Sequence, residues 1–133
     1  MGINFHPKPG MVLLCDFHGY IAPEIIKRRP VVVISPAHLR RTGLIAVVPL
    51  STTAPSPIEP YHYLLRGNPV PGSTAEQTWA KCDLVASVSV ERLDRFKIGR
   101  GLYDCGRISS EQVWAIKCCV AMSLGVDIKQ PKS

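Results

Sequence analysis

A mainly β fold, a small and strongly curved sheet or barrel finished by one helix, is what this chain of 133 residues predicts. Three observations carry that expectation. The apolar runs are short and β-branched, as in Val31–Ile34 and Leu44–Leu50. Proline and glycine punctuate them, with 12 and 10 copies in the chain, so strands must be brief and turns frequent. Towards the C-terminus the spacing turns helical, with Val113, Ile116, Val120 and Leu124 on one face.

Taken in order, Pro9-Gly10 opens a first strand over Met11–Phe17. The loop Gly19–Lys27 leads to a second strand, Val31–Ser35, and a polar connection over Pro36–Thr42 leads to a third, Leu44–Leu50. Pro55, Pro57 and Pro60 keep Ser51–Pro60 a loop, and Tyr61–Arg66 reads as a fourth strand. The turn Pro69-Val70-Pro71-Gly72 precedes Thr78–Val88, which reads as a strand pair or one long bent strand. Ser89–Asp94 looks like a short capped turn. Ser109 or Ser110 caps the helix, Gly125 ends it, and its apolar face should pack on the sheet. About six short strands at this spacing favour curvature over an open flat sheet.

Composition narrows the function classes. The length suits one domain over 1–133, with 1–8 and 127–133 as tails. A formal charge of +6 and a pI near 9.3 point to an anionic partner, nucleic acid or an acidic protein. No apolar run approaches the ~20 residues that span a bilayer. The first residues lack the apolar core of a signal peptide, so no membrane association and a cytoplasmic location are expected. The cysteines, Cys15, Cys82, Cys105, Cys118 and Cys119, are odd in number and form no C-x-x-C pair. They read as reduced, mostly buried small hydrophobes. His6, His38 and His62 show no clustering with a cysteine or carboxylate, so neither a metal nor a cofactor is assigned.

One segment stands out as a site. In Lys27-Arg28-Arg29-Pro30-Val31-Val32-Val33-Ile34-Ser35, three cations run into a proline and then into a buried strand. Pro30 fixes its own φ and pushes Arg29 towards extended backbone. Arg29 is thereby held at the mouth of a rigid element, and its guanidinium fork suits a phosphate or a carboxylate. A surface ion pair with Glu24 would be the purely structural use of the same residue.

In order and spacing, the chain resembles the MazF/PemK/Kid family of toxin ribonucleases from about Pro9 to Gly125. Pro9-Gly10-Met11-Val12 and Asp16-Phe17 are similar to the family's opening strand and its end. Glu24 stands five residues before Arg29-Pro30, like the first-loop Glu before the family's Arg-Pro. Arg41-Thr42-Gly43-Leu44 and Val48-Pro49-Leu50-Ser51-Thr52 resemble its Arg-Thr-Gly-Leu turn and Val-Pro-x-Thr-Thr strand end, and Lys81-Cys82-Asp83 resembles an Arg-Cys-Asp of Kid-like members. The resemblance implies an SH3-like β-barrel with a C-terminal helix, a homodimer, and an acidic antitoxin as partner. It also implies metal-independent cleavage of single-stranded mRNA, in which the 2′-OH attacks to leave 2′,3′-cyclic phosphate and 5′-OH ends.

Such chemistry needs a base, positive charge for the phosphorane oxygens and an acid for the leaving oxygen. Arg29 suits the charge role, since a guanidinium stays protonated. Ser51 matches the family's catalytic threonine position, with Thr52 one residue on as the other available hydroxyl. Asp83 is the candidate base and Lys81 matches the arginine that acts as acid; on a continuous strand the two would share a face. Glu24, Lys27, Arg28, Arg41, Thr52, Trp79 and His18 are the candidate RNA contacts. Trp79 could stack a base or pack in the core, whereas Trp114 is expected in the core. Two departures stand out: Pro23 where Kid-like members carry a histidine, and Leu84 where many carry a glutamine. A CcdB-like gyrase inhibitor and a degenerate relative that binds RNA or protein without cleavage are the alternatives.

Overall fold

The computed structural model describes residues 2–36 and 43–128. The first three strands are β1 (Met11–Asp16), β2 (Arg28–Val33) and β3 (Leu44–Ser51). They pair antiparallel in sequence order, with Val12 opposite Val32 and Val32 opposite Val48. β4 (His62–Leu64) and β5 (Trp79–Lys81) form a short ladder, and the outer half of β3 joins it through Leu50 opposite Ala80 and Ser51 opposite Trp79. The inner half of β3, Leu44–Val47, pairs instead with β6 (Ala86–Ser89). One strand thus serves two partners along its length, and this curls the sheet.

A 3-10 turn over Val90–Arg92, capped by the Ser89 hydroxyl accepting from Glu91 N–H, carries β6 into β7 (Leu93–Asp94). β7 pairs back on β1 through Cys15–Leu93 and Leu14–Asp94. The other end of β1 takes β10 (Gly106–Arg107), so the ladder returns to the first strand on its free side. A separate hairpin, β8 (Phe96–Gly99) with β9 (Leu102–Asp104), lies between them. Helix α1 (Ser110–Ser123) starts at Ser109, whose hydroxyl accepts from Gln112 N–H at 3.2 Å, and Gly125 leaves it at φ +84°.

Side chains alternate across β1 to β3 into two apolar clusters. Met11, Leu13, Cys15, Val31, Val33, Ile45 and Val47 face one side, where Phe17, Val88 and Leu93 cover them. Val12, Val32, Val48 and Leu50 face the other, with Leu65, Ala80, Cys82, Phe96 and Ile116 of α1. Burial on both faces explains why these strands read as continuous apolar runs. At the rim, Gly10 (φ +90°) leaves no room for a side chain, because a Cβ would sit 2.9 Å from the Ile108 carbonyl oxygen.

Several expectations are corrected. Thr78–Val88 is not one bent strand but leads through two, β5 and the start of β6, which both pair with β3 and are separated by a 3-10 turn over Cys82–Leu84. β8, β9 and β10 fall where no strand was expected, although Phe96-Lys97-Ile98 alternates before the turn Gly99-Arg100-Gly101. The segment before β1, expected to be a tail, lays Ile3 on the first cluster and buries Pro7. On α1, Leu124 is 72% exposed and Trp114 37% exposed, so neither belongs to the core. Gln112 is buried instead, accepting on Oε1 from Arg66 N–H at 2.8 Å and from the Tyr63 hydroxyl at 3.3 Å.

Candidate active site

Three strand ends bring the central residues together. Arg29 lies on β2 opposite Cys15, exposed, one residue before the proline that leads into the core. Ser51 is the last residue of β3, and Lys81 the last of β5. All three line two adjoining cavities. The first, of about 220 Å³, is completed by Glu24, Lys27 and Leu84. The second, of about 430 Å³, is completed by Thr52, Thr53 and Thr78. Lys27, Arg29 and Lys81 against a single carboxylate make the first cavity cationic, and among the described residues none of those three forms an ion pair. The ion pair between Arg29 and Glu24 is therefore absent from this set.

A third cavity of about 190 Å³ continues the cleft beyond Leu84, lined by Phe17, Tyr20, Glu24 and Asp83. Glu24, Ile25 and Leu84 are walls common to it and the first. The sequence expectation that Lys81 and Asp83 share a strand face fails here. The 3-10 turn begins after Lys81 and carries Asp83 to the far side of Leu84. Both carboxylates thus face the third cavity, and only Glu24 also faces the cations.

The hydrogen bonds separate these carboxylates further. Glu24 Oε1 accepts from Ile21 N–H at 2.7 Å, closing the turn of its own loop. Asp83 makes no hydrogen bond among the described residues; its Oδ1 lies 3.8 Å from His62 Nε2. That contact corrects the reading of His62 as isolated from any carboxylate. Ser51 Oγ accepts from Thr53 N–H at 3.1 Å and faces the Thr53 carbonyl at 3.3 Å, a local turn that leaves its own proton weakly held.

The remaining candidates scatter. Arg28 pairs with Asp16 at 3.9 Å on an exposed edge and lines neither cationic cavity. His18 is exposed, and its carbonyl, with that of Asp16, accepts from Arg92 at 2.8 Å. Trp79 is 8% exposed with its indole N–H unpartnered among the described residues, so its ring packs and presents no face for stacking. Arg41 lies outside the described residues. Thr78, which sequence reasoning did not single out, is buried with an unpartnered hydroxyl and borders the second cavity. Nothing in a lone threonine before a tryptophan marks it in advance.

The curled sheet with its C-terminal helix is a fold that this chain shares with solved MazF structures. Superposition on MazF (Form-I) from Deinococcus radiodurans gives a TM-score of 0.69 at 18% identity, covering 92% of this chain and 100% of that one. A mycobacterial endoribonuclease in complex with its cognate antitoxin matches at TM-score 0.62 and 21% identity, over 93% of this chain and 100% of that one. In sequence, the uncharacterized protein YifN of Escherichia coli (strain K12) is 35% identical over 127 residues, covering 76% of this chain and 80% of YifN. Residues 8–124 match the family of PemK-like, MazF-like toxins of type II toxin–antitoxin systems. The chain belongs to that family.

Proposed function

We propose that this toxin-family member is a metal-independent endoribonuclease of single-stranded mRNA. The observation that supports it is the convergence of Arg29, Ser51 and Lys81, from three strands, on one cationic cleft with carboxylates at its end. A phosphodiester seated there places its non-bridging oxygens against the Arg29 guanidinium and the Ser51 hydroxyl. The 2′-OH then attacks the phosphorus, giving up its proton to Asp83, while Lys81 protonates the departing 5′-oxygen. The products are a 2′,3′-cyclic phosphate and a 5′-OH. Lys27, Thr52 and Thr53 hold the flanking backbone. Asp83 is favoured as acceptor because its carboxylate makes no hydrogen bond among the described residues, whereas Glu24 Oε1 is engaged by Ile21 N–H in closing its own loop.

Glu24 remains the second reading for the base, since of the two carboxylates lining these cavities it is the one that borders both the first and the third. Incubation with a long unstructured RNA in EDTA, followed by end-group analysis, tests the whole scheme. Cyclic-phosphate ends, lost in Arg29→Ala and in Asp83→Asn but retained in Glu24→Gln, are the expected result. Loss in Glu24→Gln with activity retained in Asp83→Asn would transfer the base role. Binding without cleavage by the folded protein would leave an RNA-binding relative, and gyrase inhibition alone the CcdB-like reading. The toxin is proposed to act as a homodimer, restrained by an acidic antitoxin that complements its +6 charge.

A further inference from the structure

We propose that His62 is a positioning residue for Asp83, reaching it from a strand not otherwise implicated in the site; the inference rests on Asp83 being the proton acceptor. His62 opens β4 and sits opposite Lys81 on β5, so the same short ladder presents both the cation and the imidazole. Its side chain is 9% exposed and well fixed. Nδ1 accepts from Glu59 N–H at 2.9 Å, and the Tyr61 ring packs edge-on against it with centroids 4.7 Å apart. A nitrogen that accepts a backbone proton cannot carry one in the neutral ring, so the hydrogen sits on Nε2. Nε2 is the atom that faces Asp83, 3.8 Å from Oδ1.

That distance exceeds a hydrogen bond, but such contacts are often long without substrate and close when it enters. Asp83 sits on an exposed turn with no other partner among the described residues, so nothing else sets its rotamer. A donor to Oδ1 directs one carboxylate oxygen to His62 and leaves Oδ2 to take the proton. The arrangement is that of a base held by a third group, built here from a histidine behind an aspartate. Partial desolvation, Asp83 and then Glu59 push the Tyr61 hydroxyl above its ordinary range. From α1, the Cys119 thiol reaches the Pro60 carbonyl at 3.8 Å, tying the helix to the segment that leads into β4.

Single-turnover cleavage of RNA in EDTA, together with RNA affinity and thermal unfolding of each variant, tests this. His62→Phe should lower the cleavage rate constant about 100-fold, the cost of a misplaced catalytic group, with RNA affinity unchanged. His62→Gln, which returns an N–H near the Nε2 position, should recover activity to within a few fold. An inactive Asp83→Asn beside a fully active His62→Phe would overturn the role of His62 while leaving Asp83 as base. A fully active Asp83→Asn would remove the base assignment itself, and this inference with it. If His62→Gln folds and binds RNA but cleaves no better than His62→Phe, the donor role is likewise refuted.

Discussion

Arg29 and Val31 are two residues apart on one strand, yet one is exposed and the other fully buried. The step across Pro30 decides what each can do. Replacing Arg29 by Lys keeps the charge but loses the planar fork. We expect Arg29→Lys to retain RNA binding and Arg29→Ala to lose about 10²–10³ in cleavage rate constant, measured at saturating RNA. The buried cysteines behave oppositely to reactive ones. Burial, opposed by Arg92 and reinforced by Asp16, raises the Cys15 thiol from 9.0 to about 12, and burial raises Cys82 as well. Below pH 9 the thiol is neutral in both folded and unfolded chains and its full contribution to stability is present. Above 9 only the unfolded chain sheds the proton, so stability falls until the folded thiol ionises near 12. Denaturant midpoints measured from pH 8 to 11 should therefore decline, and Cys15→Ala should flatten that decline. Iodoacetamide should leave Cys15 unlabelled in the native protein at pH 8. The cysteines read from sequence as mostly buried small hydrophobes, and Cys15, Cys82 and Cys118 are buried while Cys105 and Cys119 are half-buried. His62 was not legible, because its carboxylate partner lies on the 3-10 turn after β5, and a fold is needed to bring the two together.

At the scale of elements, capping chemistry transferred well from sequence to structure and solvent exposure did not. Ser109, Gly125 and the Ser89 turn sit where their local rules put them, because a cap is satisfied within three residues. Trp114 and Leu124 were misplaced because an apolar stripe says which residues can be buried, not how far the sheet beneath extends. The 3-10 turn at Cys82–Leu84 was hidden for a similar reason: Trp79–Val88 is apolar enough for a strand, and the contact that Cys82 makes in the cluster beneath α1 is not visible in the sequence. Gln112 is the element-scale counterpart of that packing, joining α1 to β4 through Arg66 N–H and the Tyr63 hydroxyl. Gln112→Leu removes the acceptor and leaves a part-buried N–H without a partner, costing about 1–3 kcal/mol. Chemical denaturation should register this as a lower midpoint with an unchanged slope. Because β4 also carries His62, the same substitution should slow cleavage more than it weakens RNA binding.

Across the whole molecule, the +6 charge was readable from composition, but its concentration at one cleft was not. Arg66 and Glu111 pair across 3.9 Å at the β4–α1 junction, and Arg28 is paired with Asp16, so part of the positive inventory is already answered by the protein itself. Lys27, Arg29 and Lys81 are not, among the described residues, and they line a single cavity. If an RNA backbone occupies that cleft, its affinity must fall with salt as condensed counterions are released, with a slope of about −0.7 per phosphate contact for a single strand. Each cleft cation removed should then reduce the slope of log K against log salt by about 0.7, provided it meets a phosphate. Lys27→Ala and Lys81→Ala are expected to do so, measured on a short non-cleavable 2′-deoxy-substituted strand between 50 and 300 mM salt. Arg28→Ala, already paired and outside both cationic cavities, should leave the slope close to that of the unaltered protein. Equal slopes for all three variants would mean that the strand runs elsewhere on the surface. The convergence of the three strand ends would then need another explanation.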